Sequence, residues 1–248
     1  LNAGAPLAVN VDPIDGSSNF STNLTLGTIF SILPGGGDSP LLQPGRNQLA
    51  AGYIVYGPQT ALALTAGQGT HMFWFAPDSG QFLLAREKIQ IPPATREFAI
   101  NASNFRYWED AIKAYVIECT LRTDGPRQAD FNMRWLASLA AEAFRIFTRG
   151  GIYLYPCDGR EGYTKGRLLL LCEANPIAML TEQAGGACTT GVQRILDIEP
   201  DSLHQRTPLV FGSKAEVEEI AHYCREPHSL GDRSPLFSQR GLFRSFGG

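Results

Sequence analysis

The stretch Val11-Asp12-Pro13-Ile14-Asp15-Gly16-Ser17-Ser18-Asn19-Phe20 constrains this chain more than any other. It follows a short apolar run, Pro6 to Val11, that reads as a buried strand. Pro13 is expected to end that strand, because proline cannot donate to a sheet ladder and fixes its own φ. Asp12 and Asp15 then leave the strand end three residues apart, with the carbonyl of Ile14 between them. Hard oxygen ligands grouped this tightly suit Mg²⁺ or Mn²⁺. Gly16 comes next, where backbone must approach something closely, and Ser17, Ser18 and Asn19 supply amides and hydroxyls of the kind that form an anion-binding nest. Metal carboxylates joined to a phosphate nest form the ground plan of a phosphoryl-transfer site. The same residues are turn formers, and an Asx-type turn stays open as the alternative reading of this stretch alone.

A chain of 248 residues can bury a sizeable core as one large domain or two smaller ones. A formal net charge of −3 gives no electrostatic reason to expect a nucleic acid or membrane partner. The longest unbroken apolar run, Leu168 to Cys172, is far short of the ~20 residues a spanning helix needs. The five cysteines follow no C-x-x-C or zinc-ligand spacing and read as reduced thiols of a cytoplasmic protein.

Residues 1–90 read as a strand-rich layer: Leu26 to Leu33, Ala51 to Tyr56, Thr60 to Leu64, His71 to Phe75 and Gln81 to Leu84, with short Gly/Pro turns. That spacing predicts an antiparallel meander. Residues 91–225 read as alternating strands and helices. Strands are expected at Glu97 to Asn101, Ile152 to Pro156, Arg167 to Glu173 and Pro208 to Phe211. Helices are expected at Trp108 to Leu121 and, from the spacing of Leu136, Leu139, Ala140, Ala143, Ile146 and Phe147, at Arg134 to Thr148. Asn175-Pro176 reads as a helix start, and Ser213 with Glu216 as a capping box for the last helix. Residues 226–248, rich in Pro, Ser, Gly and Arg, read as a disordered tail.

Two further side chains stand out on physical grounds. Glu173 closes an apolar run just before a helix, where an ionised carboxylate is costly unless it is paired, bound to metal or favoured by the helix dipole. Arg134 would open a helix, a position unfavourable to a cation unless an anion lies near. The four histidines are scattered and are assigned no catalysis.

Asp12-Pro13-Ile14-Asp15-Gly16-Ser17-Ser18-Asn19-Phe20 resembles the metal-and-phosphate signature of the Mg²⁺-dependent, Li⁺-sensitive sugar phosphatases, and within them the class 1 fructose-1,6-bisphosphatases. The stretch from Gln43 to Gly57 and the segment CEANPIAMLTEQAGG around Glu173 are similar to further family motifs, and the resemblance spans about residues 6–223. It implies an α/β fold, a layered α-β-α-β-α sandwich with two mixed or antiparallel sheets and the site between two halves. It implies Mg²⁺-dependent hydrolysis of fructose 1,6-bisphosphate, with sedoheptulose 1,7-bisphosphate as an alternative substrate and a catalytically incomplete fragment as an alternative reading. Asp12, the Ile14 carbonyl, Asp15 and Glu173 would hold Mg²⁺ (or Mn²⁺). Asp15, Gly16, Ser17, Ser18, Asn101, Arg134, Tyr155 and Arg167 would bind the sugar bisphosphate, Arg134 reaching into a neighbouring subunit of a homotetramer or homodimer. Trp135 and Leu139 stand where sugar-walling residues do, Arg167 replaces a usual lysine, and Leu169 and Cys172 replace an arginine and a tyrosine. The family's paired-glutamate metal motif, water-activating acid and AMP site would lie ahead of Leu1, so the chain is expected to lack the N-terminal portion.

Overall fold

The computed structural model describes residues 4–36 and 39–225. The tail expected at 226–248 lies outside the described residues. Six strands, β1 (Leu7–Asp15), β2 (Leu26–Pro34), β3 (Ala50–Tyr56), β4 (Thr60–Thr65), β5 (Thr70–Ala76) and β6 (Gln81–Arg86), form one antiparallel sheet in the order β1-β2-β3-β4-β5-β6. This is the meander that the turn spacing predicts.

The remaining strands are β7 (Glu97–Ala99), β8 (Asn132–Met133), β9 (Ile152–Tyr155), β10 (Leu168–Leu169), β11 (Ala187–Thr189), β12 (Arg206–Thr207) and β13 (Leu209–Gly212). A mixed sheet runs β11-β13-β9-β7-β8, with β7 parallel to both β8 and β9, while β10 and β12 form a separate antiparallel ribbon. Four helices complete the chain: α1 (Asp110–Thr120), α2 (Leu139–Arg149), α3 (Asn175–Gln183) and α4 (Lys214–Arg225).

These elements stack as sheet, helix, sheet, helix. Helices α2 and α3 lie between the two large sheets, where Ile29, Tyr53 and Met72 meet Leu139, Ile146, Phe147, Ile177 and Leu180, and these meet Tyr153, Leu209 and Phe211. On the far face of the mixed sheet, Phe98, Ile152, Leu154 and Val210 pack on Ile112, Tyr115 and Val116 of α1 and on Val217, Ile220 and Tyr223 of α4. Strand β9 alternates strictly, giving Ile152 and Leu154 to one core and Tyr153 to the other. On the outer face of the six-stranded sheet, Leu7, Val9 and Val11 are about half-exposed.

Several expectations need correction. Pro13 does not end β1, because β1 is an edge strand where a missing N–H costs no ladder bond, and the register slips between Asp12 and Asp15. Helix α2 starts at Leu139, capped by Ser138, so Arg134 and the exposed Leu136 precede it. The run from Arg167 to Glu173 is a strand only at Leu168–Leu169, then turns through a π-helical segment, Leu170–Ala174, directly into α3. A short, wholly apolar run does not distinguish buried strand from buried helix by periodicity. Asn175 accordingly caps nothing, as its side chain lies inside a continuing helix. The capping box at Ser213 is not formed either: Ser213 Oγ accepts from the Gly151 amide at 3.2 Å, and the Glu216 carboxylate is taken by Tyr115 Oη at 2.7 Å and by Arg127.

Gly27 on β2 sets how closely α2 approaches the sheet. A Cβ there would lie 2.3 Å from Ala140 Cβ and 2.9 Å from the Ile54 carbonyl. Gly27→Ala is expected to destabilise the chain by about 1–3 kcal/mol, the usual cost of overpacking. An unchanged denaturant midpoint would show that α2 is free to move outward.

Candidate metal and phosphate site

In a regular strand, residues three apart point to opposite faces. The slip at Pro13-Ile14 adds a residue, so Asp12 and Asp15 face the same side, and bulges commonly re-aim side chains in this way. The fold brings Glu173 to them from the π-helical turn, a feature frequent at functional sites. One carboxylate oxygen from each of Asp12, Asp15 and Glu173 lies within 4.8 Å of the others, the single such acidic, His or Cys group among the described residues.

The three carboxylates are held unequally. Asp15 accepts from Ser138 Oγ at 2.6 Å, from the Leu139 amide at 3.0 Å and from the Ala140 amide at 2.8 Å. Glu173 accepts from the Leu169 amide at 2.6 Å, and Asp12 from the Ile14 amide at 3.2 Å. Burial pushes Glu173 up to about 7; the Leu169 amide opposes the rise, and the charges of Asp12 and Asp15 add to it. Burial also raises Asp12, opposed by the Ile14 amide and reinforced by Asp15. An all-oxygen donor set under mutual repulsion, with unshared lone pairs left on each member, fits a hard divalent cation. Cys172, next in sequence, is pushed up to about 12 by burial and by Glu173 and stays a thiol.

Gly16 links this cluster to the serines. Its φ of +77° is one that side chains resist, and a Cβ would lie 2.8 Å from Ser138 Cβ. The chain then enters a 3₁₀ turn, Ser17–Thr22, whose first amides have no partner within the turn. Asn19 locks the turn in place, donating to the carbonyls of Thr25 at 3.1 Å and Leu136 at 2.9 Å.

A cleft of about 480 Å³ opens over these groups, lined by Asp15, Gly16, Ser17, Ser18 and Glu173 on one side and by Asn101, Tyr155 and Arg167 on another. Trp135 and Leu139 line it too. Trp135 stacks on Tyr153 (5.7 Å between centroids, 10° between planes) and leans on Tyr155 at 5.8 Å. Asn101 bends its side chain back to accept from Ser103 Oγ at 2.6 Å and the Ser103 amide at 3.3 Å.

Three expected residues are not brought into the cleft lining: Asp12, which reaches the acidic cluster from beside it, Ile14 and Arg134. Ile14 is half-exposed outside it, and Arg134 donates through Nε to Glu97 at 3.1 Å. A cationic residue that the sequence does not single out also lines it: Arg206. It is the cross-strand partner of Leu169, donates to the Arg167 carbonyl, and its charge pulls the Glu173 carboxyl down. Nothing in the local sequence marks it, because the β10–β12 pairing joins residues far apart in the chain.

Fold and site together define an α/β protein that gathers hard-metal carboxylates and an aromatic, arginine-bearing wall around one cleft. Its residues 2–87 match the family described as fructose-1-6-bisphosphatase, N-terminal domain, and residues 91–225 match fructose-1-6-bisphosphatase, C-terminal domain. The fructose-1,6-bisphosphatase class 1 of Sinorhizobium medicae is 56% identical over 251 aligned positions, covering 99% of this chain and 72% of that protein. That of Azorhizobium caulinodans is 58% identical, covering 90% and 70%. The holo-form crystal structure of Leishmania major fructose-1,6-bisphosphatase superposes with a TM-score of 0.84 at 32% identity, covering 90% of this chain and 70% of that one. This chain belongs to the class 1 fructose-1,6-bisphosphatase family.

The raised Glu173 carboxyl makes a prediction for metal-free protein. The folded chain keeps a proton on Glu173 up to about pH 7, whereas the unfolded chain releases it near 4.5. The folded state therefore binds more protons in that window, and stability falls as pH rises through it, by at most about 3 kcal/mol. Chelator-treated Glu173→Gln should lose less stability than the parent between pH 5 and pH 8. Equal losses in urea titrations would place the strain elsewhere.

Proposed function

We propose that this chain hydrolyses the 1-phosphate of fructose 1,6-bisphosphate with Mg²⁺, Mn²⁺ substituting. The observation that carries the reading is the shared cleft: Asp15 and Glu173, clustered with Asp12, lie across a space of about 480 Å³ from Tyr155 and Arg167. Asp12, Asp15 and Glu173 would hold the cation, with the Ile14 carbonyl as a further oxygen. Bound there, Mg²⁺ supplies positive charge that polarises the phosphate ester.

The protein's own groups do the rest. Gly16, Ser17 and Ser18 orient the reacting phosphate with amides and hydroxyls at the start of a 3₁₀ turn. Asn101, Tyr155 and Arg167 grip the other phosphate, fixing the sugar lengthwise. Trp135 and Leu139 exclude water from its face. Arg134, tied to Glu97 outside this cleft, serves a neighbouring copy in a homotetramer or homodimer. Residues 1–90 carry Asp12, Ile14, Asp15 and the reacting-phosphate groups, and residues 91–225 carry Glu173 with the sugar and remote-phosphate groups. The family resemblance and the donor chemistry support this division of labour.

Phosphate release from fructose 1,6-bisphosphate should require Mg²⁺. Asp12→Asn should lower it by roughly 10²-fold or more, the range for losing one preorganised electrostatic partner. Sedoheptulose 1,7-bisphosphate run alongside gives the sugar preference. Mg²⁺-independent release, or full turnover in Asp12→Asn, would remove the carboxylates from the chemistry. Silence of the parent chain would overturn its proposed activity as an isolated chain.

A further inference from the structure

Arg167 reaches the cleft without a carboxylate partner within ion-pair distance among the described residues. A long side chain of this kind loses rotamer freedom only if something else holds it. Aromatic rings do so here. The Arg167 guanidinium carbon lies 4.4 Å from the ring centre of Tyr163 and 5.7 Å from that of Tyr155. The guanidinium of Arg160 also lies 4.8 Å from the Tyr163 ring centre, and 4.4 Å from that of Tyr107. Cations and rings thus alternate from Tyr107 to Tyr155, which leans on Trp135.

The rungs are fixed at their bases. Arg160 Nε is bonded to the buried Asp158 at 3.0 Å. The Tyr163 amide donates to the Arg160 carbonyl at 3.0 Å, and its carbonyl accepts from the amides of Gly166 at 3.0 Å and Asp158 at 3.2 Å. The Gly159 amide donates to the Tyr107 carbonyl at 3.2 Å, joining this loop to the turn that follows Asn101. Tyr163 is therefore held by backbone and is not free to follow Arg167. Ring-cation contacts of this geometry strengthen as they are desolvated and favour the flat guanidinium over an ammonium.

We propose that Tyr163 is a positioning residue, which stacks on Arg167 and presents its planar guanidinium to the phosphate remote from the carboxylate cluster. This rests on the reading of the cleft given above. It makes arginine at 167 a matched half of a pair, so that Arg167→Lys is not a conservative change here.

The test uses the whole chain with Mg²⁺ and two readouts: steady-state turnover of fructose 1,6-bisphosphate, and equilibrium binding of fructose 6-phosphate, which carries only the remote phosphate. Tyr163→Leu should raise KM and the fructose 6-phosphate Kd about 3- to 10-fold with kcat within twofold, whereas Tyr163→Phe, which keeps the ring, should behave like the parent. Arg167→Lys should weaken binding at least as much, and adding Tyr163→Leu to it should cost little more, because the partner is already lost. Additive effects, a fall in kcat alone, or failure of Phe to restore the parent values would overturn the positioning role. A parent chain that neither binds fructose 6-phosphate nor turns over would overturn the reading of the cleft, and this inference with it. A parent that does both, with an indifferent Tyr163→Leu, would overturn this inference alone.

Discussion

The Asp15 carboxylate is the interaction on which the rest of this structure depends. From the end of β1 it receives three hydrogen bonds from Ser138, Leu139 and Ala140, the cap and first turn of α2, more than a hundred residues further along the chain. An anion at a helix N-terminus satisfies amides that have no partner inside the helix and lies favourably in the helix dipole. Ser138 is shared, since its hydroxyl donates to Asp15 while accepting from the Ala141 amide at 3.3 Å. The close approach fixes its neighbours: Gly16 has no room for a side chain, and Ala137 is turned to a φ of +57°. A left-handed alanine costs about 1–3 kcal/mol and persists only where its surroundings dictate it. One carboxylate therefore joins the two sheets through α2 and also belongs to the acidic cluster. Changes at Asp15 disturb fold and site together, whereas Asp12 and Glu173 report more directly on the cluster.

The segment before α2 is held from a second direction. Glu97 on β7 accepts from Arg134 at 3.1 Å and Arg145 at 2.8 Å, and also pairs with Arg149. Arg145 is shared with the fully buried Glu142, whose other oxygen accepts from the Leu136 amide at 2.8 Å. Burial raises Glu142 and Arg145 opposes the rise, so the network offsets a desolvation cost that a wholly apolar packing would avoid. Its return is positional. Ala137 is held between Glu142 at Leu136 and Asp15 at Ser138, and Trp135 between Glu97 at Arg134 and Glu142 at Leu136.

What was legible in the sequence follows from the range of the forces involved. The meander could be read because alternating burial and turn residues are local, and β1 to β6 pair with their sequence neighbours throughout. Asp12, Asp15 and Glu173 could be named from their residue types and motifs, and they do converge. How Asp12 and Asp15 share a face could not, because the bulge around Pro13 depends on β1 being an edge. The strand expected through Glu173 failed where an apolar run has no period to read. Arg134 was placed on a helix whose start is set by Ser138 meeting Asp15, a contact invisible in local pattern. Arg206 and Tyr163 escaped for the same reason, as one acts across a ribbon and the other through stacked rings.

Tyr153 shows why such a cleft can be both part of the core and exposed to ligand. Its ring packs at 5.3 Å on Phe211 in the main core and stacks at 5.7 Å on Trp135 in the cleft, with Tyr155 at 6.0 Å beside it. Burial raises its hydroxyl far above the ordinary range, so it contributes packing and no charge. A binding wall built in this way has its rotamers set by the interior, and interiors are packed as densely as crystals. In the proposed reading, Asn101, Tyr155 and Arg167 begin from a rigid base, and little ordering would be left for the ligand to impose. The opposite side of the cleft works by another principle, since its carboxylates repel one another and, in the proposed reading, would be relieved by a cation. The two sides are not independent, because Asp15 belongs to the acidic cluster and also holds the start of α2 beside the aromatic wall.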